Sequence, residues 1–155
     1  METHSKTANA LPAVLPNAET PWGAFQKFDW VQLKDAYDYL APDGSEIRLL
    51  LNVKGGGACH CTLPSGLTSG AVKHKTVEEI WYVLSGEGEM WRKNDGQEEV
   101  IKMKPGTCVS IPLATSFQFR NTGTVNFTVL ITTMPPWPGK DEAVVVKNHW
   151  KNADE

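Results

Sequence analysis

His74 and Glu79 are two ionisable side chains near the middle of a 155-residue chain. A histidine nitrogen and a carboxylate can bind a divalent metal, and they can also accept and donate protons in catalysis. Two protein ligands rarely hold a catalytic ion, since three are the usual minimum. The pair therefore indicates two chemistries, a metal site that needs a third ligand and a proton-transfer site that needs none.

His60 is the candidate for the third ligand. It lies in residues 58–63, an apolar run that predicts a strand. If it points toward His74 and Glu79, the three form a two-histidine, one-carboxylate set, which is typical of non-haem iron with open positions. If it points away, it is a satisfied polar group or a pocket residue without metal. Cys59 and Cys61 share the opposite strand face, and both orientations stay open.

The elements that must position these residues are short strands. From residue 41 onward, apolar runs alternate with Gly, Pro, Asn and Asp turns, which predicts an all-β sandwich or barrel. Predicted strands cover residues 46–53, 58–63, 80–84, 89–93, 98–103, 107–111, 116–120 and 125–133, with an edge strand over 144–150. A short strand over 28–33 and one helical turn over 35–40 are weaker expectations. Residues 134–139, rich in proline, should leave the sheet and cover an end or side of the barrel.

Two spaced motifs lie within residues 66–121. The first reads Gly66-x5-Val72-x-His74-x4-Glu79-x6-Gly86. It resembles the first signature motif of the cupin superfamily, Gly-x5-His-x-His-x3,4-Glu-x6-Gly. Every spacing fits, but valine stands at the first histidine position.

The second motif reads Gly106-x5-Pro112-x-Ala114-x2-Phe117-x3-Asn121. It resembles the second cupin motif, Gly-x5-Pro-x-Gly-x2-His-x3-Asn. Phenylalanine stands at the histidine position, and alanine at a glycine position. The sequence also resembles a group of small single-domain bacterial cupins in residues 76–86, 117–120 and 134–139.

The resemblance implies an RmlC-like jelly-roll barrel with its site inside. Cupins that bind metal use three histidines and one glutamate, so only His74 and Glu79 remain here. The expected cofactor is one divalent metal (Fe, Mn, Ni, Cu or Zn), held with the help of His60, or none.

The resemblance also implies that Glu79 points into the barrel. Because strand side chains alternate faces, Trp81 is then inside, and Ile80, Tyr82 and Leu84 form an outer apolar row suited to a second subunit. A one-residue bulge would instead put Glu78 inside.

A wall of mostly apolar side chains is expected around the pair. By resemblance, Phe117 and Phe119 face inward with Trp81, so the candidate substrate-binding residues are these three rings together with His60 and Val72. Apolar surroundings should raise the pKa of Glu79 by desolvation.

Two classes of function follow. One is an enzyme, with His74 and Glu79 as catalytic residues acting on an apolar or aromatic metabolite by proton transfer (isomerase, lyase or cyclase type) or by metal-assisted chemistry of the dioxygenase type. The other is a non-catalytic ligand-binding or accessory cupin that has lost its metal site. Burying two ionisable groups is costly, and this favours the enzyme.

Composition limits the remaining choices. The net charge of −3 and the three cysteines argue against a nucleic-acid surface and against a disulfide framework. No apolar run reaches the roughly 20 residues of a membrane helix. We expect a cytoplasmic homodimer that binds a small molecule, with a flexible arm over residues 1–20 and one cupin domain over 21–155.

Overall fold

The computed structural model describes residues 27–152. The predicted arm, 1–20, lies outside them. The described residues form eleven strands and no helix. The strands are β1 Tyr39–Leu40, β2 Glu46–Val53, β3 Gly56–Leu63, β4 Val72–His74, β5 Glu78–Ser85, β6 Gly88–Asn94, β7 Gln97–Met103, β8 Cys108–Ile111, β9 Ser116–Asn121, β10 Phe127–Met134 and β11 Ala143–Val145. Among these residues there is thus no helix that could cross a membrane.

The strands form two antiparallel sheets. The six-stranded sheet has the order β1-β2-β3-β10-β5-β8, and the five-stranded sheet has the order β11-β4-β9-β6-β7. One apolar core, in which the largest fully buried side chain is Trp81, includes residues of both sheets. The architecture is the predicted all-β jelly roll.

Strand β5 shows the alternation that the sequence predicts. Glu79 and Trp81 are 5% and 2% exposed, whereas Tyr82 is 46% exposed. Glu78 is also exposed, and its Oε1 accepts a hydrogen bond from the Leu113 amide at 3.2 Å. The register is therefore the one with Glu79 inside.

The weaker expectations for residues 28–40 are wrong. Residues 28–33 form no strand, because no neighbouring strand in the described chain pairs with them, and Phe28 is fully exposed. Residues 35–40 form no helical turn. Instead the Asp38 amide donates to Ile47 O at 2.8 Å, and Tyr39 pairs with Ile47 at the edge of the sheet.

The C-terminal segment also differs from its prediction. Only Ala143–Val145 form the edge strand, and the chain then crosses the outer face of the five-stranded sheet. Gln118 binds it there, its Oε1 accepting from the His149 and Trp150 amides at 2.8 Å each. Gln118 thus faces outward from the barrel, yet it is fully buried under this segment.

Turns hold the motif residues. Asn121 Oδ1 accepts a hydrogen bond from the Gly123 amide at 2.9 Å, so the motif asparagine caps its turn. Gly86 has φ 76°, and a Cβ there would meet Asn126 O at 2.4 Å. Ala114, at the motif's glycine position, has φ 61°, a conformation that costs an alanine energy.

Candidate functional site

A cavity of about 430 Å³ lies inside the barrel. Its wall is mostly apolar and aromatic, and it is suited in size to a small molecule. His74 and Glu79 both line it, together with Val72, Trp81 and Phe117. The structure therefore brings together five of the seven residues predicted for the site.

His74 and Glu79 face each other in this cavity. His74 Nδ1 lies 3.9 Å from Glu79 Oε1, and both side chains are almost fully buried. Glu79 Oε2 accepts a hydrogen bond from Trp81 Nε1 at 2.7 Å. The alternation of β5 places this indole on the same face as the carboxyl group, so the strand itself supplies the donor.

Burial governs the ionisation of Glu79. It raises the pKa of this carboxyl to about 8, although the hydrogen bond from Trp81 opposes the shift. The nearby Asp43 carboxyl raises the pKa further. Glu79 is therefore a protonated acid at neutral pH.

His74 is shifted in the opposite direction. Burial lowers the pKa of its imidazole to about 4, while the negative charge of Glu142 opposes this effect. The rings of Phe117 and Trp137 meet it edge-on, with centroids 5.2 and 5.0 Å away. His74 Nδ1 has no hydrogen-bond partner within residues 27–152. The pair is thus a neutral base beside a neutral acid, not an ion pair.

The structure places His60 elsewhere. Cys59 lines the cavity and Cys61 lies in the core, so His60 between them points to the outer face of the six-stranded sheet. In the sheet, His60 lies opposite Arg48 of the neighbouring strand β2. Of the two orientations that the sequence left open, the structure has the outward one, because the odd positions of this strand face inward. The use of His60 as a third metal ligand or as a pocket residue is therefore wrong.

A metal site therefore lacks ligands. Two of the three histidine positions of the family motifs are occupied by Val72 and Phe117, whose side chains form part of the apolar cavity wall. Within residues 27–152 no three His, Cys, Asp or Glu side chains are grouped to hold an ion. The residues described do not fit the ligand set that metal-binding cupins use.

Phe119 lies behind the wall rather than in it. Its ring is fully buried against Trp81, with centroids 4.9 Å apart, and it lies 6.4 Å from Phe127. It faces inward as predicted, yet Trp81 separates it from the cavity. Phe119 supports the pocket instead of contacting a ligand.

Sequence reasoning missed several lining residues, among them Asp43, Cys59 and Trp137. Asp43 Oδ1 accepts from the Ser45 amide at 2.9 Å, and burial raises the pKa of its carboxyl. Burial also raises the pKa of Cys59 to about 12, so its thiol is a poor nucleophile. Of these residues, only Trp137 could have been found from the sequence, since the proline-rich segment that contains it was expected to cover the barrel.

Comparison with known proteins agrees with this fold. A family model described as "Cupin domain" matches residues 59–133. An uncharacterised protein of Methanocaldococcus jannaschii is 33% identical over 122 residues, which are 73% of this chain and 94% of that protein. The chain belongs to the cupin family.

Solved structures show the same fold. An RmlC-like cupin from Methanocaldococcus jannaschii, with a double-stranded β-helix, matches this cupin with a TM-score of 0.52 at 15% identity, over 72% of this chain and 94% of that one. Oxalate decarboxylase from Bacillus subtilis, whose structure is described with Mn(II) centres, matches with a TM-score of 0.55 at 18% identity. That match covers 69% of this chain and 29% of the decarboxylase, and it shows the fold alone.

Proposed function

We propose that this cupin binds a neutral, apolar or aromatic small molecule in its barrel and catalyses proton transfer on it. Isomerisation, elimination and cyclisation are reactions of this class. The observation that carries the proposal is the His74–Glu79 pair, 3.9 Å apart in a mostly apolar cavity. A barrel that only stored an apolar ligand would gain nothing from two buried ionisable groups, which are costly to desolvate.

The two groups have complementary roles. His74, as a neutral imidazole, takes a proton from an acidic C–H of the substrate. Glu79, as a protonated carboxyl, gives its proton to a substrate oxygen or carbon atom. One proton then passes from the imidazolium to the carboxylate, and both groups regain their starting states. Trp81 holds Glu79 through its Nε1 and positions the acid.

The ionisation states predict a pH window. The base works when His74 is neutral, above its pKa of about 4, and the acid works when Glu79 is protonated, below its pKa of about 8. The rate should therefore be bell-shaped between these two values.

A divalent metal is the other route within this proposal, since cupins such as the Bacillus oxalate decarboxylase have Mn(II) centres. It needs donors besides His74 and Glu79. We favour proton transfer because Val72 and Phe117 replace two donors and His60 points away. Elemental analysis of protein purified without a histidine tag tests this choice, since near-stoichiometric metal that disappears in His74→Ala would overturn it.

Nitrobenzisoxazole is a suitable reporter, because its ring opens when a base removes its C–H proton. The N–O bond breaks, a nitrile forms and the negative charge ends on a phenolate oxygen, to which Glu79 can donate a hydrogen bond, while the His74 imidazolium returns its proton to solvent. We expect wild-type protein to exceed free imidazole at equal concentration, and His74→Ala to lose about 100-fold or more. His149→Ala is the matched control, since His149 is exposed on the outer face.

The alternative is a non-catalytic ligand-binding cupin. N-phenyl-naphthylamine, a neutral fluorescent aromatic, reports binding in the same variants. If it binds while nitrobenzisoxazole turns over no faster than with imidazole, the enzyme proposal fails and the binding module stands.

We also propose that two copies associate in the cytoplasm through the outer face of the six-stranded sheet. One apolar row on this face consists of Ile80, Tyr82 and Leu84, which are each 44–46% exposed. All three cysteines are free, which agrees with the reducing cytoplasm. Sedimentation should show a dimer in the wild type and a monomer in Tyr82→Glu. A monomeric wild type would contradict this assignment.

A further inference from the structure

Glu142 is a buried carboxylate outside both sequence motifs, with only 5% of its surface exposed. Its Oε1 accepts from the amides of Thr76 at 2.5 Å and Val77 at 2.7 Å, and its Oε2 accepts from Thr76 Oγ1 at 3.0 Å. Hydrogen bonds to a carboxylate are roughly twice as strong as neutral ones. A buried carboxyl that accepts three of them, all from the adjacent residues Thr76 and Val77, is a structural clamp.

The Glu142 clamp binds the turn that connects the two proposed catalytic residues. His74 ends β4 and Glu79 follows the start of β5, so residues 75–77 set the path from one to the other. The turn's amides at 76 and 77 lie outside the strands, and Glu142 satisfies both.

The same residue is tied to the segment that covers the cavity. Residues 135–142, here called the strap, leave β10 and carry Trp137 against the ring of His74, 5.0 Å away. At the far end of the strap, the Glu142 amide donates to Gly139 O at 3.2 Å, and the Lys75 amide donates to Glu142 O at 3.2 Å. One residue thus joins the strap to the catalytic turn through both its main chain and its side chain.

The carboxylate remains ionised in this setting. Burial alone would raise the pKa of Glu142, but the hydrogen bonds from Thr76 and Val77 outweigh it and lower the pKa overall. The group therefore keeps its full accepting capacity at neutral pH.

We propose that Glu142 is a positioning residue for the His74–Glu79 pair, and that it works by clamping the turn between them to the strap that carries Trp137. This inference rests on the proton-transfer function proposed above.

Amide hydrogen exchange of the wild-type protein tests the clamp without any substrate. The Val77 amide lies in a turn, yet it should exchange as slowly as the amides of β4, because a buried carboxylate holds it. Exchange at the rate of exposed turns, such as residues 95–96, would overturn the clamp. This readout stands even if nitrobenzisoxazole is not turned over, an outcome that defeats only the proton-transfer function.

Substitution tests the positioning role. Glu142→Ala removes the acceptor, and kcat on nitrobenzisoxazole should fall about 100-fold, as for a misplacement near 1 Å, while the Kd of N-phenyl-naphthylamine changes far less. Glu142→Gln keeps an amide oxygen for the same two N–H groups and should restore most of kcat. Glu89→Ala is the matched control. Glu89 accepts a hydrogen bond from Arg120, with a donor–acceptor distance of 2.6 Å, and it does not line the cavity.

Two outcomes would overturn the role. One is an unchanged kcat in Glu142→Ala, and the other is a Gln variant as impaired as the Ala variant. If Glu142→Ala does not fold, the Gln variant and the exchange of Val77 still decide the question.

Discussion

The barrel interior has two contrasting ends. At one end the inward side chains of β3, β9 and β10 fill the space completely, with Leu63, Phe119 and Phe127 at most 1% exposed. At the other end the same strands line the hollow, through Cys59, Phe117, Ile131 and others. The ionisable pair sits only at the hollow end.

This difference separates stability from function within single strands. The filled end buries apolar surface at close packing, which is the main source of folding free energy. The hollow end gives up packing and carries two groups whose burial costs free energy. The protein can keep such a region only because the folding free energy from the filled end more than offsets this cost. We place the chemistry at the hollow end.

The largest expected effect comes from emptying the filled end. Phe127→Ala should lower the free energy of unfolding by about 3–5 kcal/mol, because it leaves a cavity in a packed core. Trp137→Ala, at the half-buried rim of the hollow end, should cost far less despite the larger ring. Urea unfolding of both variants checks the contrast, and equal losses would mean that the two ends do not differ in this way.

An intermediate effect should appear in the pH dependence of stability. Folded Glu79, with a pKa of about 8, keeps a proton that the unfolded chain loses above the ordinary value of 4.5, so rising pH destabilises the fold between these values. His74, whose pKa is about 4 when folded and 6.5 when unfolded, acts in the opposite direction over that lower range. The loss should therefore emerge between pH 6.5 and 8, at about 1.4 kcal/mol per pH unit.

Glu79→Gln separates this contribution, because glutamine can still accept from Trp81 and does not ionise. Its stability should stay level between pH 6.5 and 8, where the wild type loses about 2 kcal/mol. Unfolding curves at closely spaced pH values measure both proteins. If the free energy of unfolding of the wild type changed as little over this pH range as that of the variant, Glu79 would already be ionised at pH 6.5.

The smallest effect is expected at Ala114, in the turn beside the hollow end. Its φ of 61° is unfavourable for alanine, and the motif has glycine there. Ala114→Gly should stabilise the protein by up to about 1 kcal/mol, since relief of strain exceeds the entropy that glycine adds to the unfolded chain. Thermal unfolding checks this, with Ala71→Gly in the core as a destabilising control. A loss of stability in Ala114→Gly would contradict the strain.

The fold was predictable because its signals are local. Turn residues and two-residue alternation define most strands, and motif spacing places Glu79 and Trp81 inside. The sequence could not orient His60, since an isolated strand has two faces and only its neighbours decide which one is buried. It could not find Glu142 or the burial of Gln118 either, because both depend on contacts between distant segments.

The most direct test of a neutral base beside a neutral acid is to follow the ionisation of both groups by NMR of protein labelled at the histidine nitrogens and glutamate carboxyl carbons. We expect His74 to stay neutral from pH 5 upward and Glu79 to keep its proton until about pH 8, in line with their pKa values. An imidazole that titrates near 6.5 with a carboxyl that ionises near 4.5, their ordinary pKa values, would contradict a neutral base beside a neutral acid.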